Sequence, residues 1–414
     1  MPTLGGFHLM RHWALQAAAL LLAIPGPAPG QTPGEPLRFP PREPQDERTE
    51  AYPVGIVGPA DVPQTALAYI EATDWHTLPP INYVPPPYHR DALDGLRICL
   101  DPGHGAAIDQ AGYKRGATGF REAVMNLEVA SMVRDFLEAS GAEVVMTRED
   151  DTDPADGSLE WRARLADREN CDLFLSIHHN ATSRKTANYL SVWYQARPDH
   201  PRAAVDLARH IAMSMHDLMR HDETENMGLY ASWLIYPPDP DEGHPDMLRM
   251  DTTAQLPSGF GVLRNARVPA ILTEGSFYTN PYEEARLMDR EYLRREAWGI
   301  YMGILTYMWA GIPKITLHED QPITVREARP SVHLMLDDGM HEGWAKNAPP
   351  RIHLDTLRVY IDDRRALLRY RPELAEIFAT PTWDLEPGEH TVRLRVLNVW
   401  GNWSWPTEIP FEVR

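Results

Sequence analysis

Between residues 96 and 308, short apolar runs alternate with longer stretches of helical periodicity. The run 96–100 is an apolar strand that leads directly into Asp101-Pro102-Gly103-His104-Gly105. Across 122–140, Met125, Val129, Met132 and Phe136 recur at helical spacing, as do Leu127, Ala130, Val133 and Leu137. Gly141 follows, where a left-handed residue ends a helix. The pattern continues with a strand at 144–147, a helix at 159–166, and strands at 173–177 and 189–194. A long helix at 202–219, a strand at 270–273 and a largely helical 281–308 complete it. This alternation predicts an α/β domain over 95–313, an open twisted sheet with helices on both faces.

After Gly311 the helical period stops. Residues 332–336, 357–361, 391–396 and 409–413 read as strands, with turn signals at Asp338-Gly339, Pro387-Gly388 and Gly401-Asn402. Residues 390–396 alternate polar and apolar, as a half-buried strand does. This predicts an immunoglobulin-like β-sandwich over 314–414.

Upstream, Arg11 and His12 precede an apolar run at 13–24 that Gln16 alone interrupts. That run is too short to span a bilayer and suits a signal-peptide core. Ala28 and Gly30 put small residues before a cut at Gln31, so 1–30 is expected to be a signal peptide and the protein exported, periplasmic or extracellular. Residues 31–94 read as a proline-rich linker and N-terminal extension, with a short helix at 65–72. No later stretch is long and apolar enough to span a membrane.

Charge and cysteine content narrow the function. The 414 residues carry 40 basic and 59 acidic side chains, a net charge of −19, so no general field draws nucleic acid or anionic lipid. The two cysteines, Cys99 and Cys171, exclude a disulfide scaffold and a four-cysteine zinc module. If their strands are neighbours, an offset of about two residues, roughly 6–7 Å, strains a bridge. Free, buried thiols are expected.

The candidate chemistry sits at strand ends. His104 follows the first strand, His178 follows the strand 173–177, Glu122 begins the long helix and Glu274 follows the strand 270–273. In an open α/β sheet such groups converge in the crevice at the strands' carboxyl ends. Two imidazoles and one carboxylate form a three-ligand set with an open fourth position, one of the catalytic zinc sets. Taken singly, each has a bland reading: a turn, a helix N-terminal carboxylate, a surface acid.

Together these motifs resemble the zinc-dependent N-acetylmuramoyl-L-alanine amidases of the amidase-3 family, from about Leu96 to Leu305. LDPGHG is similar to the segment carrying the first zinc histidine, here His104. GATGFRE resembles the glycine-containing loop that ends in the zinc glutamate, here Glu122, followed by Asn126-Leu127. SIHHNA resembles the family's SIHANA and puts the second zinc histidine at His178. PAILTEGSFYTN resembles PAVLVETGFLSN and puts the catalytic glutamate at Glu274. The resemblance implies one zinc ion, a peptidoglycan substrate and hydrolysis of the bond between N-acetylmuramic acid and L-alanine.

There are departures from the family pattern. His179 stands where a small residue is usual, so His179 is the other candidate ligand, although Ile177 and Asn180 favour His178. Gly275-Ser276 replaces the usual Thr-Gly. The stretch 231–259 is longer than the family core and reads as a surface loop, a lid or an autoinhibitory plug. A zinc peptidase acting on the stem peptide, or a degenerate wall-binding or activator domain, are the alternative functions. The sandwich has no comparable cluster of histidines and acids at strand ends, so no catalytic role is expected of it. Trp383, Trp400, Trp403 and Trp405 belong either to its core and the interdomain seam or to a sugar-stacking face.

Overall fold

A computed structural model describes residues 81–86, 92–105, 114–151, 158–183, 185–195, 203–219, 228–231, 259–340, 349–405 and 407–414. The expected signal segment, the short helix at 65–72 and nearly all of 231–259 lie outside them.

The first sheet comprises β1 (Arg97–Pro102), β2 (Glu143–Met146), β3 (Leu173–Asn180), β4 (Ser191–Tyr194), β5 (Gly228–Ala231) and β6 (Ala270–Phe277). Their order is β2-β1-β3-β6-β4-β5. The strands β2, β1, β3 and β6 are parallel to one another. β4 runs antiparallel to β6 and carries β5 parallel to itself, so the sheet is mixed. Hydrophobic patterning predicts strands but not the direction of an edge pair.

Both faces of this sheet are covered, which is why its strands are apolar almost throughout. Ile98, Leu100, Leu173, Leu175, Ile177, Val192 and Ile271 point to one side. There they pack against α1 (Glu122–Glu138), α3 (Ala203–Met219) and α6 (Arg290–Trp309). Cys99, Phe174, Trp193 and Leu272 point to the other side, against α2 (Leu159–Arg168) and α4 (Gly261–Asn265). The period-two alternation of a strand divides the residues between the two layers. A further helix, α5 (Pro281–Leu287), leads into α6. Upstream, Tyr83 packs against Phe136 and Trp298, and its hydroxyl donates to Glu291 at 2.6 Å.

Both cysteines are buried and free. Cys99 pairs with Phe174, so it lies three positions along from Cys171 rather than the expected two. The neighbouring Cys171 thiol, together with burial, raises the Cys99 thiol above its ordinary range.

The C-terminal strands form two further sheets around one core. β11 (Arg364–Arg365), β10 (Arg358–Ile361), β14 (Gly388–Arg395), β15 (Glu408–Val413) and β8 (Thr324–Val325) make one, in that order. β12 (Leu367–Arg371), β13 (Glu376–Thr380), β9 (Val332–Asp337) and β7 (Lys314–Leu317) make the other. Val332, Leu334, Val359, Ile361, Ile377, Val392, Leu394 and Phe411 fill the space between them.

The two parts of the chain share a polar seam. The last carbonyls of a helix have no intrahelical donor. At the end of α6, Asn398 donates to the carbonyls of Ala310 and Gly311, each at 2.9 Å. Asn402 donates to those of Tyr307 and Gly311 at 2.9 and 3.1 Å. Asp206 of α3 accepts from the Trp403 backbone at 2.8 Å, and the Trp405 indole donates to the Tyr307 hydroxyl at 2.8 Å. Trp403 and Trp405 therefore serve the seam, Trp383 packs against the sandwich core, and Trp400 is exposed.

Candidate functional site

The carboxyl ends of β1, β3 and β6 lie side by side, and the candidate residues sit on them. His104 is two residues past β1, in the left-handed region at φ 61°, a conformation that an L-residue adopts at some cost. The neighbouring glycine has a specific reason. A Cβ added at Gly103 would lie 2.2 Å from the His178 ring, so only glycine lets that imidazole fold across the loop. His178 lies near the end of β3 and pairs in register with Glu274 of β6, which also faces Ser191 of β4.

Glu122, the first residue of α1, reaches into the same crevice and is almost fully buried. Its Oε1 lies 3.1 Å from His104 Nε2 and 3.1 Å from His178 Nδ1. It also accepts the His179 backbone N–H at 3.2 Å. The ligand atoms of His104, Glu122 and His178 all fall within 4.8 Å of one another. Burial alone would raise the Glu122 carboxyl, but the two imidazoles hold it well below the ordinary carboxylate range. Burial lowers His178, which favours the neutral imidazole. Glu122 Oε2 is buried without a hydrogen-bond partner. Two imidazole nitrogens and a carboxylate with an orphaned oxygen make a donor set that fits a divalent cation.

The loop holding His104 is clamped from below by two arginines that sequence reasoning did not single out. Arg148, just after β2, donates to the carbonyls of Pro102, Gly103 and Ala123 at 2.9, 2.9 and 2.7 Å. Arg162, in the buried stripe of α2, donates to the His104 carbonyl at 2.9 Å and to Asp101 Oδ1 at 2.8 Å. Asp101 also accepts from Thr147 and Ser176, each at 2.7 Å. Burial would raise Asp101, but Arg162 and the two hydroxyls keep it below its ordinary value. A signal was available for Arg162, since it occupies a helix position where Ala163 and Ala166 mark the inward face. On the other side, Glu284 of α5 accepts from the Thr118 backbone and hydroxyl at 2.9 and 2.6 Å, which fixes the loop entering Glu122.

His179 points elsewhere. Its ring is fully buried between Asn126 and Glu296 and does not face the crevice. The two histidines are thus divided by the strand's alternation.

The expectation of no His and acid cluster in the sandwich is corrected. His318, His333 and Glu376 group on the outer face of the β12-β13-β9-β7 sheet, with ligand atoms within 4.8 Å. His333 is stacked between His318 and Phe378, at ring distances of 3.9 and 4.2 Å. Glu376 accepts from Arg371 at 3.0 Å, and His318 Nδ1 accepts the Asp320 N–H at 3.1 Å. Parallel rings and an arginine on the carboxylate describe a cross-strand ladder.

Among the described residues, His104, Glu122 and His178 converge at the carboxyl ends of the parallel strands, as groups that could hold a metal ion. The sequence profile of the family described as N-acetylmuramoyl-L-alanine amidase matches residues 98–306, half of the chain. The germination-specific N-acetylmuramoyl-L-alanine amidase of Bacillus subtilis is 31% identical over 229 residues, which cover 52% of this chain and 81% of that protein. The amidase AmiA of Salmonella typhimurium is 30% identical over 230 residues, covering 51% and 75% of the two chains. A crystal structure of an N-acetylmuramoyl-L-alanine amidase from Clostridium difficile 630 aligns at 27% identity and a TM-score of 0.41, over 52% of this chain and 97% of that one. The chain belongs to the N-acetylmuramoyl-L-alanine amidase family of cell-wall enzymes.

Proposed function

We propose that this enzyme uses one zinc ion, held by His104, Glu122 and His178, and that Glu274 is its general base and acid. The observation that carries this reading is the convergence of the three ligand atoms beside a strand-paired Glu274. A zinc ion there supplies Lewis acidity, lowering the pKa of water and polarising the amide carbonyl. Glu274, 8% exposed, takes the proton of the attacking water and passes it to the leaving amine of L-alanine. Glu122, kept ionised, contributes negative charge, and the clamped loop keeps His104 turned toward it. The bond broken joins the lactyl carbonyl of N-acetylmuramic acid to L-alanine.

Mass analysis of peptidoglycan digested by the purified protein tests this. New L-alanine amino termini that vanish on chelation and return with zinc are expected. Cleavage within the stem peptide would instead assign a peptidase. Glu274→Gln should keep its zinc and lose turnover, whereas Glu122→Gln should lose both.

In the same reading, 1–30 is a signal peptide, 31–94 a linker and N-terminal extension, 95–313 the catalytic domain and 314–414 an immunoglobulin-like sandwich. The enzyme is exported and meets peptidoglycan in the periplasm or outside the cell. Among the described residues no helix is long and apolar enough to cross a membrane.

A further inference from the structure

His179 and Glu296 form a buried pair that the hydrolytic reading does not use. Neither side chain has any exposed surface, and His179 Nε2 lies 3.0 Å from Glu296 Oε2. The other ring nitrogen, Nδ1, lies 2.8 Å from Asn126 Oδ1. The Asn126 amide cannot be turned round, because its nitrogen donates to the Gly103 carbonyl at 3.1 Å and lies 3.5 Å from Glu122 Oε1. Its oxygen therefore faces His179, and Nδ1 is the donor. A continuous chain runs from Glu296 through His179 and Asn126 to the Glu122 carboxylate and to the carbonyl that precedes His104.

The surroundings are shaped to this pair. Tyr292, Leu293, Ala297 and Ile300 lie within about a turn of Glu296 on α6 and are buried, as is Arg295 beside it, so the carboxylate is shut away from water and is costly unless held. Across the strand, β6 bulges: Gly275 and Ser276 together oppose His179, between the pairs His178–Glu274 and Asn180–Phe277. A Cβ at Gly275 would lie 2.6 Å from Glu296 Oε1 and 2.9 Å from His179 Cδ2. The space that a side chain at 275 would need is thus taken by the His179–Glu296 pair.

We propose that His179, anchored by Glu296, is a positioning residue of the metal centre. It touches every proposed ligand indirectly: His178 by main-chain continuity, Glu122 through its own N–H and Asn126, and His104 through the Gly103 carbonyl. The inference rests on the zinc reading above. Partners that orient first ligands typically change metal affinity by about 10–100-fold when removed.

The test is chelator competition for zinc on the full chain, with melting temperature measured separately on the zinc-free protein. His179→Ala is expected to weaken zinc binding by about 10–100-fold. It also strands the Glu296 carboxylate, so the double variant His179→Ala/Glu296→Leu removes that burden. The double variant should regain most of the zinc-free melting temperature and still bind zinc weakly. A merely structural pair predicts that zinc affinity recovers together with stability, and that result overturns the proposal. Should His179→Ala fail to fold, the double variant decides alone. Zinc held at wild-type affinity by Glu122→Gln removes the ligand reading and this inference with it. Loss in Glu122→Gln without loss in the His179 variants removes this inference only.

Discussion

Asp101→Asn tests whether the site depends on the buried charge beneath it. Asparagine keeps the shape of the side chain. Its oxygen can still accept from Arg162 and Thr147, which both use Oδ1, and its amide nitrogen then faces the Ser176 hydroxyl, which can turn to accept. What disappears is the negative charge opposite Arg162, a guanidinium whose side chain is 2% exposed. Breaking a buried pair by removing one partner costs about 3–5 kcal/mol. Arg162 also donates to the carbonyls of Pro102 and His104, which leaves it partly compensated and favours about 3 kcal/mol. At about 2–4 °C per kcal/mol for a domain of this size, the melting temperature should fall by about 6–12 °C. The pH dependence has a definite sign. Asp101 is lowered in the folded protein, so at acid pH the unfolded chain binds more protons than the native one. The stabilisation is complete above the unfolded value, about 3.9, and is lost as pH falls from there through the folded pKa. Calorimetry of zinc-free wild type and variant should show a gap at pH 7 that narrows below about pH 4. A melting temperature within about 2 °C of wild type at pH 7 would refute the assignment of a stabilising role to this charge.

Glu274→Gln should lower turnover by about 10²–10⁴-fold with zinc content unchanged, read by amidase rate and elemental analysis on one preparation. Asn402→Ala, which strips donors from the Tyr307 and Gly311 carbonyls at the seam, should cost about 1–3 kcal/mol in denaturant unfolding without altering turnover per folded molecule. Removing 314–414 should lower the melting temperature for the same reason, while folded molecules still hydrolyse small soluble muropeptides. Loss of turnover in a folded, zinc-loaded truncation would give the sandwich a catalytic role. Gly275→Ala should destabilise the wild type but be tolerated once His179 and Glu296 are Ala and Leu, as a thermal-melt double-mutant cycle would show.

The helices and parallel strands of the first domain were legible because burial on two faces forces long apolar runs and a clear helical period. The expected helix 202–219 and strand 173–177 differ from α3 and β3 only at their ends. The antiparallel β4 was not legible as such, since direction is settled by tertiary pairing. In the second domain, β12 and β13 escaped notice. β12 reads Leu-Leu-Arg-Tyr-Arg with no residue fully buried, so no apolar stripe marks it. The grouping of His318, His333 and Glu376 is cross-strand and depends on register, which no local pattern encodes.

The candidate site shows the same division more sharply. His104 and Glu122 adjoin a strand end and a helix start, whereas β3 and β6 run on past the expected 177 and 273, so that His178 and Glu274 lie inside them. The one-dimensional pattern still sufficed to nominate all of them. The groups that hold them in place come from positions that local rules assign to the core: Arg162 on the inward stripe of α2, Glu296 on that of α6, His179 on the covered face of β3. A charged residue at such a position violates the apolar pattern, and the violation persists only where a partner meets it. Asp101 meets Arg162, and His179 meets Glu296. Each partner pair spans at least sixty residues of sequence, so neither half predicts the other. The informative sign within one sequence is therefore the buried ionisable residue itself. Such a residue in the elements surrounding a nominated site identifies support for that site before any contact is known.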